Sequence, residues 1–496
     1  MRQTRLIRPS FAERFQCVGS ACEETCCQEW NVPIDQATYE KYQNLPDVPL
    51  RALIQASVKG PEAGSVAPNP LTYGKIVMNA ANKCPMLSDT HLCRIHSECG
   101  PELLPHVCDT FPRVIDFVSN VEEKSLSFSC PEAARQVLLD PNLFKPDLGG
   151  GGQTSPYSTP ATMLRPDATD TDLRTKISQP SDVQPVITFK PGPPTEQQLA
   201  PGVTARQVKV PAGVTGVDLQ LLYFWPIRET VLSLVRNRMY PLWQRMFMLG
   251  VFCRRMDAIA RGELNRSVAD FLDDFAASVA VGGLTAAMDT LPTDREAQLD
   301  IVLQMAGMLL QRSNITPRFV ETVNAFTAGI GNGPGATLQT LTAQYSTSHD
   351  QYYAPFMAKN PHIMENYLVN TIIRCIFPFG REAAKPGSKS TMVYQFALLT
   401  AQFALMKGLM IGVAGHYREA LAGEHVVKTF QAASKHFEHH PEFLKQAHAL
   451  LVETGMDGAR GLAILLKNTA PKIPSGQVRP ATEAVQLQGT GNAPQA

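Results

Sequence analysis

Nine of the eleven cysteines crowd between Cys17 and Cys130: Cys17, Cys22, Cys26, Cys27, Cys84, Cys93, Cys99, Cys108 and Cys130. Only Cys253 and Cys375 lie outside that stretch. Such crowding admits three kinds of structure: a disulfide scaffold, a metal site or an iron–sulfur cluster. The first residues, MRQTRLIRPSFAERF, carry charge throughout and contain no apolar h-region, so no secretory signal is read there. A cytoplasmic, reducing compartment is therefore expected. Structural disulfides are rare in such a compartment, and the thiols read as ligands.

The spacing is Cys17-x4-Cys22-x3-Cys26-Cys27, then Cys84-x8-Cys93, then Cys108 and Cys130. A zinc site takes four ligands, commonly thiolates, and iron–sulfur clusters also favour four thiolates. Spacing does not separate the two. Cys22 to Glu29 reads as a short helix with Cys22 and Cys26 on one face. Neighbours on a helix point about 100° apart. The adjacent pair Cys26-Cys27 thus suits two irons of a cluster, or two sites, better than one zinc ion. Eight cysteines suffice for two four-ligand sites, or for one cluster plus structural thiols. His91, His96 and His106 lie among them, and His96 has ligand-like spacing in Cys93-Arg-Ile-His96. Ordinary hydrogen-bonded histidines are the expected reading of all three.

At 496 residues the chain has room for several domains. Lys and Arg total 45, as do Asp and Glu, so no global field favours nucleic acid or an anionic membrane. The fold class expected is mainly α: a small cysteine-rich α+β module over 1–140 joined to an irregular α-helical domain over 216–470. In the module, Asp35 reads as the N-cap of a helix from Gln36 to Tyr42. Lys75–Asn79, Arg113–Val118 and Ser125–Ser129 read as short strands, the last two pairing around Ser119-Asn120. Little apolar material is available there, and small units of that kind often need a metal. Residues 141–215 read as a Pro/Gly-rich linker or insertion, with Val186–Lys190 and Gln207–Val210 as isolated strands. Residues 471–496 read as a disordered tail.

Nine stretches between Leu219 and Glu453 carry apolar residues at three- and four-residue spacing. The run from Met392 to Val413 has membrane-like hydropathy. Gln395, Thr400, Gln402 and Lys407 interrupt it, and a buried core helix is expected rather than a span. Gly329-Ile-Gly331-Asn-Gly333-Pro-Gly335 imitates a cofactor-binding turn. Such a turn needs a preceding strand, whereas Phe319–Ala328 reads as helix, so a glycine C-cap and loop are expected. His436, His439 and His440 share a helical face as metal ligands do, but sit at a helix end where cationic side chains favour the dipole. The Cys-x3-Cys-x2-Cys pattern of radical enzymes is absent, as are Walker A, H-E-x-x-H and G-x-S-x-G motifs.

Several motifs together resemble the flagellin lysine-N-methylase family of the FliB type. They are Cys17-x4-Cys22-x3-Cys26-Cys27-x2-Trp30, Cys84-Pro-Met-Leu87, Cys93-Arg-Ile-His96, Leu104-x3-Cys108-x2-Phe111-Pro112-Arg113 and Ser125-Leu-Ser-Phe-Ser-Cys130-Pro-Glu132. Asn237-Arg-x-Tyr-Pro-Leu242 and Glu365-Asn-Tyr-Leu-Val-Asn370 match more loosely. The resemblance implies methyl transfer from S-adenosylmethionine (SAM) to lysine side chains of flagellin. It also implies a cysteine-bound centre, a 4Fe-4S cluster or alternatively zinc, held by Cys17, Cys22, Cys26, Cys27, Cys84, Cys93, Cys108 and Cys130. Cys99 stands where the family carries an aliphatic residue and is left out.

A lysine amine attacks a sulfonium methyl only when neutral, and its ordinary pKa is about 10.4, so the site must remove a proton. No catalytic or SAM-binding residue is assigned from the sequence. Glu365, Asn366 and Tyr367 are candidates for the base, against a reading in which they serve helix packing and capping. The competing class is a non-enzymatic metal-binding or redox-sensing interaction protein.

Overall fold

A computed structural model describes residues 10–144 and 216–468, apart from 29–31, 46–49, 62–68, 119–120, 313–314, 383–389 and 439. The expected strands at 186–190 and 207–210, the 119–120 turn, most of the linker and the tail lie outside the described residues.

The first part of the chain carries helices α1 (Ser10–Arg14), α2 (Gln36–Gln43), α3 (Arg51–Ser57), α4 (His106–Thr110) and α5 (Pro131–Leu138). Its strands are β1 (Val32–Ile34), β2 (Val58–Lys59), β3 (Gly74–Ile76), β4 (Arg113–Val118) and β5 (Val121–Leu126). Asp35 caps α2 by accepting from the Thr38 amide, as its position predicts. A second oxygen of Asp35 accepts from the His106 amide at 3.1 Å, which ties α4 to the start of α2. β1, β3 and β2 form an antiparallel sheet in that order. Val32, Ile34, Tyr42, Leu50, Ile54, Ile76, Met86 and Ile95 make a small core, onto which the Cys27, Cys93, Cys99 and Cys108 side chains pack.

β4 and β5 pair from Arg113 against Leu126 to Val118 against Val121. The expected strand at Ser125–Ser129 is therefore displaced toward the N-terminus. Beyond Leu126 the chain leaves the ladder, because Ser127 and Ser129 bond each other and the neighbouring helices. Val118, Leu126, Phe128, Val137 and Leu138 belong to the core of the helical part, not to the small one. The hairpin and α5, together with Phe11, Ala12 and Phe15, are thus built into the larger core.

The larger body continues with α6 (Gly216–Val235), α7 (Leu242–Ala260), α8 (Val268–Ala280), α9 (Thr285–Asp289), α10 (Arg295–Leu310), α11 (Pro317–Gly329) and α12 (Leu338–Ser348). It ends with α13 (Ala354–Lys359), α14 (His362–Arg374), α15 (Met392–Tyr417), α16 (Gly423–Phe437), α17 (Pro441–Glu453) and α18 (Ala459–Leu466). Among the described residues α15, extended to Ala420, is long and apolar enough to cross a membrane, yet 94% of its most apolar window is buried inside the fold. It is the central core helix, surrounded by α7, α10, α11 and α16. Its glycines permit this. A Cβ on Gly412 would stand 2.6 Å from the Phe326 carbonyl oxygen of α11, and one on Gly415 would stand 2.6 Å from that of Gly329. The two backbones therefore cross in near contact. Lys407, in the middle of α15, donates to the Leu465 and Leu466 carbonyls and to Asn468 Oδ1, closing the C-terminus of α18. Burial pulls its pKa down to about 7.

Candidate functional site

The expected Cys22–Glu29 helix is not formed over its described residues, Cys22 to Gln28. A 3-10 turn covers Gly19–Ala21, Cys22 is extended, and Gln28 forms an antiparallel bridge with Lys83. The reason is local. The Thr25 hydroxyl accepts the Cys27 amide at 3.1 Å and the Cys22 thiol donates to the Glu24 carbonyl at 2.8 Å, so side chains take the backbone groups a helix would use. The chain then runs beside the Cys84 segment, whose amide donates to the Cys27 carbonyl at 2.8 Å. Leu87 bridges Cys93, which folds the Cys84–Cys93 loop back on itself.

The eight expected thiols are each free of a disulfide. The charge on Cys26 bears on Cys22, Cys84, Cys93, Cys108 and Cys130, and that on Cys17 bears on Cys22. Cys26 and Cys27 hydrogen-bond to each other. That bond and the nearby Lys435 ammonium bring the Cys26 thiol down to about 7, while Cys27, its proton-holding partner, is pushed up. Burial raises Cys84 to about 11 and Cys130 to about 12, and also raises Cys22, Cys93 and Cys108. Cys99 lies close enough to Cys93 to act on its charge.

A soft, thiol-only donor set of this kind suits zinc or an iron–sulfur cluster. Among the described residues, no three His, Cys, Asp or Glu side chains converge closely enough to grip a metal ion as they stand. The donor chemistry fits a thiolate-bound centre.

His91, His96 and His106 are all exposed. His436 accepts from the Thr316 amide at 3.3 Å and lies tilted against the Phe319 ring at 4.7 Å, which occupies the ring as a core histidine. His439 lies outside the described residues. The glycine run follows α11 and caps it: Gly331 at φ 73° donates to the Ala328 carbonyl.

The Glu365-Asn-Tyr-Leu-Val-Asn370 motif is occupied with assembly. Glu365 pairs with Arg238 at 3.0 Å and with Arg245 at 2.7 Å. Asn366 donates to the Val137 and Asp140 carbonyls, closing the end of α5. Tyr367 stacks on Phe128 at 5.6 Å. Asn370 pairs with the backbone of Leu126. Glu365, Asn366 and Asn370 are engaged in packing and capping, and the Tyr367 ring is packed in the core.

A second polar site, marked by no motif, lies where α14 and α16 meet the end of β5. Ser127 Oγ donates to Glu438 Oε2 at 2.6 Å and stands 2.5 Å from Ser129 Oγ. Arg374 Nε lies 3.5 Å from Glu438 Oε1. Gln431 donates to the Ser129 carbonyl at 3.1 Å. One turn before Glu438, Lys435 pairs with Glu24 at 3.2 Å and donates to the Thr25 carbonyl at 3.4 Å. This site therefore adjoins both the cysteine loop and Cys130.

A family model described as the FliB lysine N-methylase C-terminal domain matches residues 228–465. The chain is 33% identical over 143 residues to a lysine-N-methylase of Salmonella typhimurium, covering 29% of this chain and 34% of that protein. It is 32% identical over 143 residues to the flagellar biosynthetic protein FliU of Salmonella muenchen, covering 82% of it. A lysine-N-methylase of Salmonella choleraesuis is 32% identical over the same length, with 34% of it covered. The matched stretch thus spans about a third of each lysine-N-methylase. No solved structure matches.

Proposed function

The chain belongs to the FliB-type lysine N-methylase family, and on that premise we propose that it methylates protein lysine side chains, with SAM as methyl donor and flagellin as substrate, in the cytoplasm. The observation that carries the reading is the family match across the helical body, from Arg228 to Leu465. The name of FliU adds a flagellar protein as the class of substrate.

The chemistry asked of the protein is modest. A neutral amine is a strong nucleophile and a sulfonium methyl an activated electrophile, so polar displacement needs only proximity, alignment and removal of one proton. Radical chemistry is not required by the reaction. Cys17, Cys22, Cys26, Cys27, Cys84, Cys93, Cys108 and Cys130 are the residues proposed to hold an iron–sulfur centre or, in its place, zinc. Such a centre, when bound, would cross-link four chain segments around a core too small to be stable alone.

The test uses full-length protein purified without oxygen, with metal and sulfide analysis and a visible spectrum. The loaded protein is then given flagellin and SAM carrying a labelled methyl. Label on flagellin lysines, without 5′-deoxyadenosine, is the expected result. A fully loaded protein that leaves flagellin and other lysine-bearing proteins unlabelled would overturn the reading.

A further inference from the structure

Amine methylation at neutral pH needs a group that accepts a proton, and the natural choice is a carboxylate sheltered from water with an oxygen to spare. Among the described residues, four buried carboxylates are committed elsewhere. Glu123 pairs with the buried Arg228 at 3.0 Å. Asp116 is gripped by Arg381 at 2.5 and 2.7 Å. Asp257 accepts the Met392 and Val393 amides at the start of α15. Glu365 is shared between Arg238 and Arg245.

Glu438 differs. Its side chain is only 2% exposed, yet Oε1 makes no hydrogen bond, and Arg374 approaches to 3.5 Å without closing one. Gln431 Oε1 and Ser434 Oγ are likewise buried without a hydrogen bond. Gln431, Ser434 and Glu438 follow at three- and four-residue steps and so share one face of the α16 region. Buried polar atoms left unsatisfied are costly, and a native fold that gathers three on one face has a use for them. All three atoms are acceptors or, for the hydroxyl, both acceptor and donor. That is the complement of an ammonium group, which carries three donors and no acceptor.

We propose that Glu438 is the group that receives the substrate lysine's proton, with Ser127 holding its other oxygen in place. The proposal rests on the methyl-transfer reading above. One N–H proton of the lysine ammonium passes to Glu438 Oε1. The freed nitrogen lone pair forms a bond to the sulfonium methyl carbon. The carbon–sulfur bond breaks and its electron pair stays on sulfur, giving a neutral thioether. Ser127 is the positioning residue: its hydroxyl holds Oε2, while Oε1 stays without a hydrogen bond beside Arg374. The Cys22–Gln28 loop borders the site through the Glu24–Lys435 pair, so a centre held by those cysteines would order its rim.

The experiment compares wild type, Glu438→Gln and Glu438→Asp as full chains in single turnover with labelled SAM and flagellin, from pH 7 to 10. Melting temperature and metal content are measured on each. The expected E438Q result is a rate at least 100-fold lower at pH 7.5, recovering about tenfold per pH unit toward pH 10 as the amine loses its own proton. E438D, which keeps a carboxylate, is expected to restore part of the rate at pH 7.5, and it carries the test if E438Q does not fold. An E438Q rate and pH profile equal to wild type would overturn the assignment while leaving the methylase reading intact. So would a pH-independent loss in either variant accompanied by lower melting and lost metal. A wild-type protein that transfers no methyl would instead refute the methylase reading itself.

Discussion

The side-chain amide of Asn370 exchanges two hydrogen bonds with the backbone of Leu126: Nδ2 donates to the Leu126 carbonyl at 2.7 Å and Oδ1 accepts its amide at 3.0 Å. The helix α14 thereby supplies, through one side chain, what a third strand would offer the edge of β5. The same hairpin is pinned by Arg228, which bonds Glu123 at 3.0 Å, donates to the Ile372 carbonyl at 2.5 Å and lies over the Phe224 ring at 5.0 Å. These contacts fix the end of β5, and with it Ser127, Ser129 and Cys130, against the helical body.

Replacing Asn370 by Leu keeps the volume and strips both bonds. Two buried backbone groups then go unsatisfied, at about 1–3 kcal/mol each. A loss of about 3 kcal/mol is expected in denaturant unfolding, with the far-UV helical signal of the folded state unchanged. A loss under about 0.5 kcal/mol would mean that the hairpin is held by its apolar face alone.

The α11–α15 crossing makes a second prediction. A methyl at Gly412 meets the Phe326 ring and carbonyl, and one at Gly329 meets the Gly412 carbonyl. Backbone atoms cannot step aside as a flexible side chain would. Gly412→Ala is therefore expected to cost about 3 kcal/mol through overpacking, although alanine is the better helix former. Gly307, whose added Cβ would meet nothing within 4 Å, serves as the control: Gly307→Ala should be neutral or slightly stabilising. Equal melting temperatures for the two variants would contradict the crossing.

His436 makes acid stability measurable. Burial first, then the positive charge of Arg312, holds its pKa at about 4, against an ordinary value of about 6.5. The unfolded chain therefore binds the proton more readily between those values. Stability from the neutral ring is complete above pH 6.5 and is lost as pH falls toward 4, amounting to roughly 3 kcal/mol by linkage. Unfolding curves at pH 7, 5.5 and 4.5 should converge for wild type and His436→Asn as the acid limit is approached. Parallel curves at all three pH values would show that the ring is not buried in its neutral form.

Much of this architecture is written in local sequence, and the exceptions have physical causes. The long helices announce themselves through apolar spacing, and α15 through Gln395, Thr400, Gln402 and Lys407, polar residues that interrupt a span. α12 escapes because its residues, Leu-Gln-Thr-Leu-Thr-Ala-Gln-Tyr-Ser-Thr-Ser, are poor helix formers held by a cap from Thr337 and Thr340. The cysteine loop misleads because Thr25 and Cys22 bond their own backbone. The nine clustered cysteines stand out in the composition, being all of one residue type, and the choice of eight among them rests on the family resemblance. The Glu438 site is not, because Ser127 and Glu438 are 311 positions apart and neither belongs to a periodic pattern.

The small core and the large one should respond differently to loss of the thiols. The small core rests on few buried side chains, among them Val32, Ile34, Tyr42 and Ile54, and Cys84 is buried beside them. The large core has α15 at its centre and does not use those cysteines, save Cys130. Cys84→Ser, or removal of a bound centre by chelator, is therefore expected to open the unit spanning residues 32–108 while the helical body stays folded. Circular dichroism should retain most of the helical signal, and limited proteolysis should cut first within 32–108. Cys253→Ser, in the middle of α7 and fully buried in the large core, should leave metal content and the cutting pattern unchanged. Protection of 32–108 in the Cys84→Ser protein equal to wild type would mean that the small core stands without its thiol-bound centre.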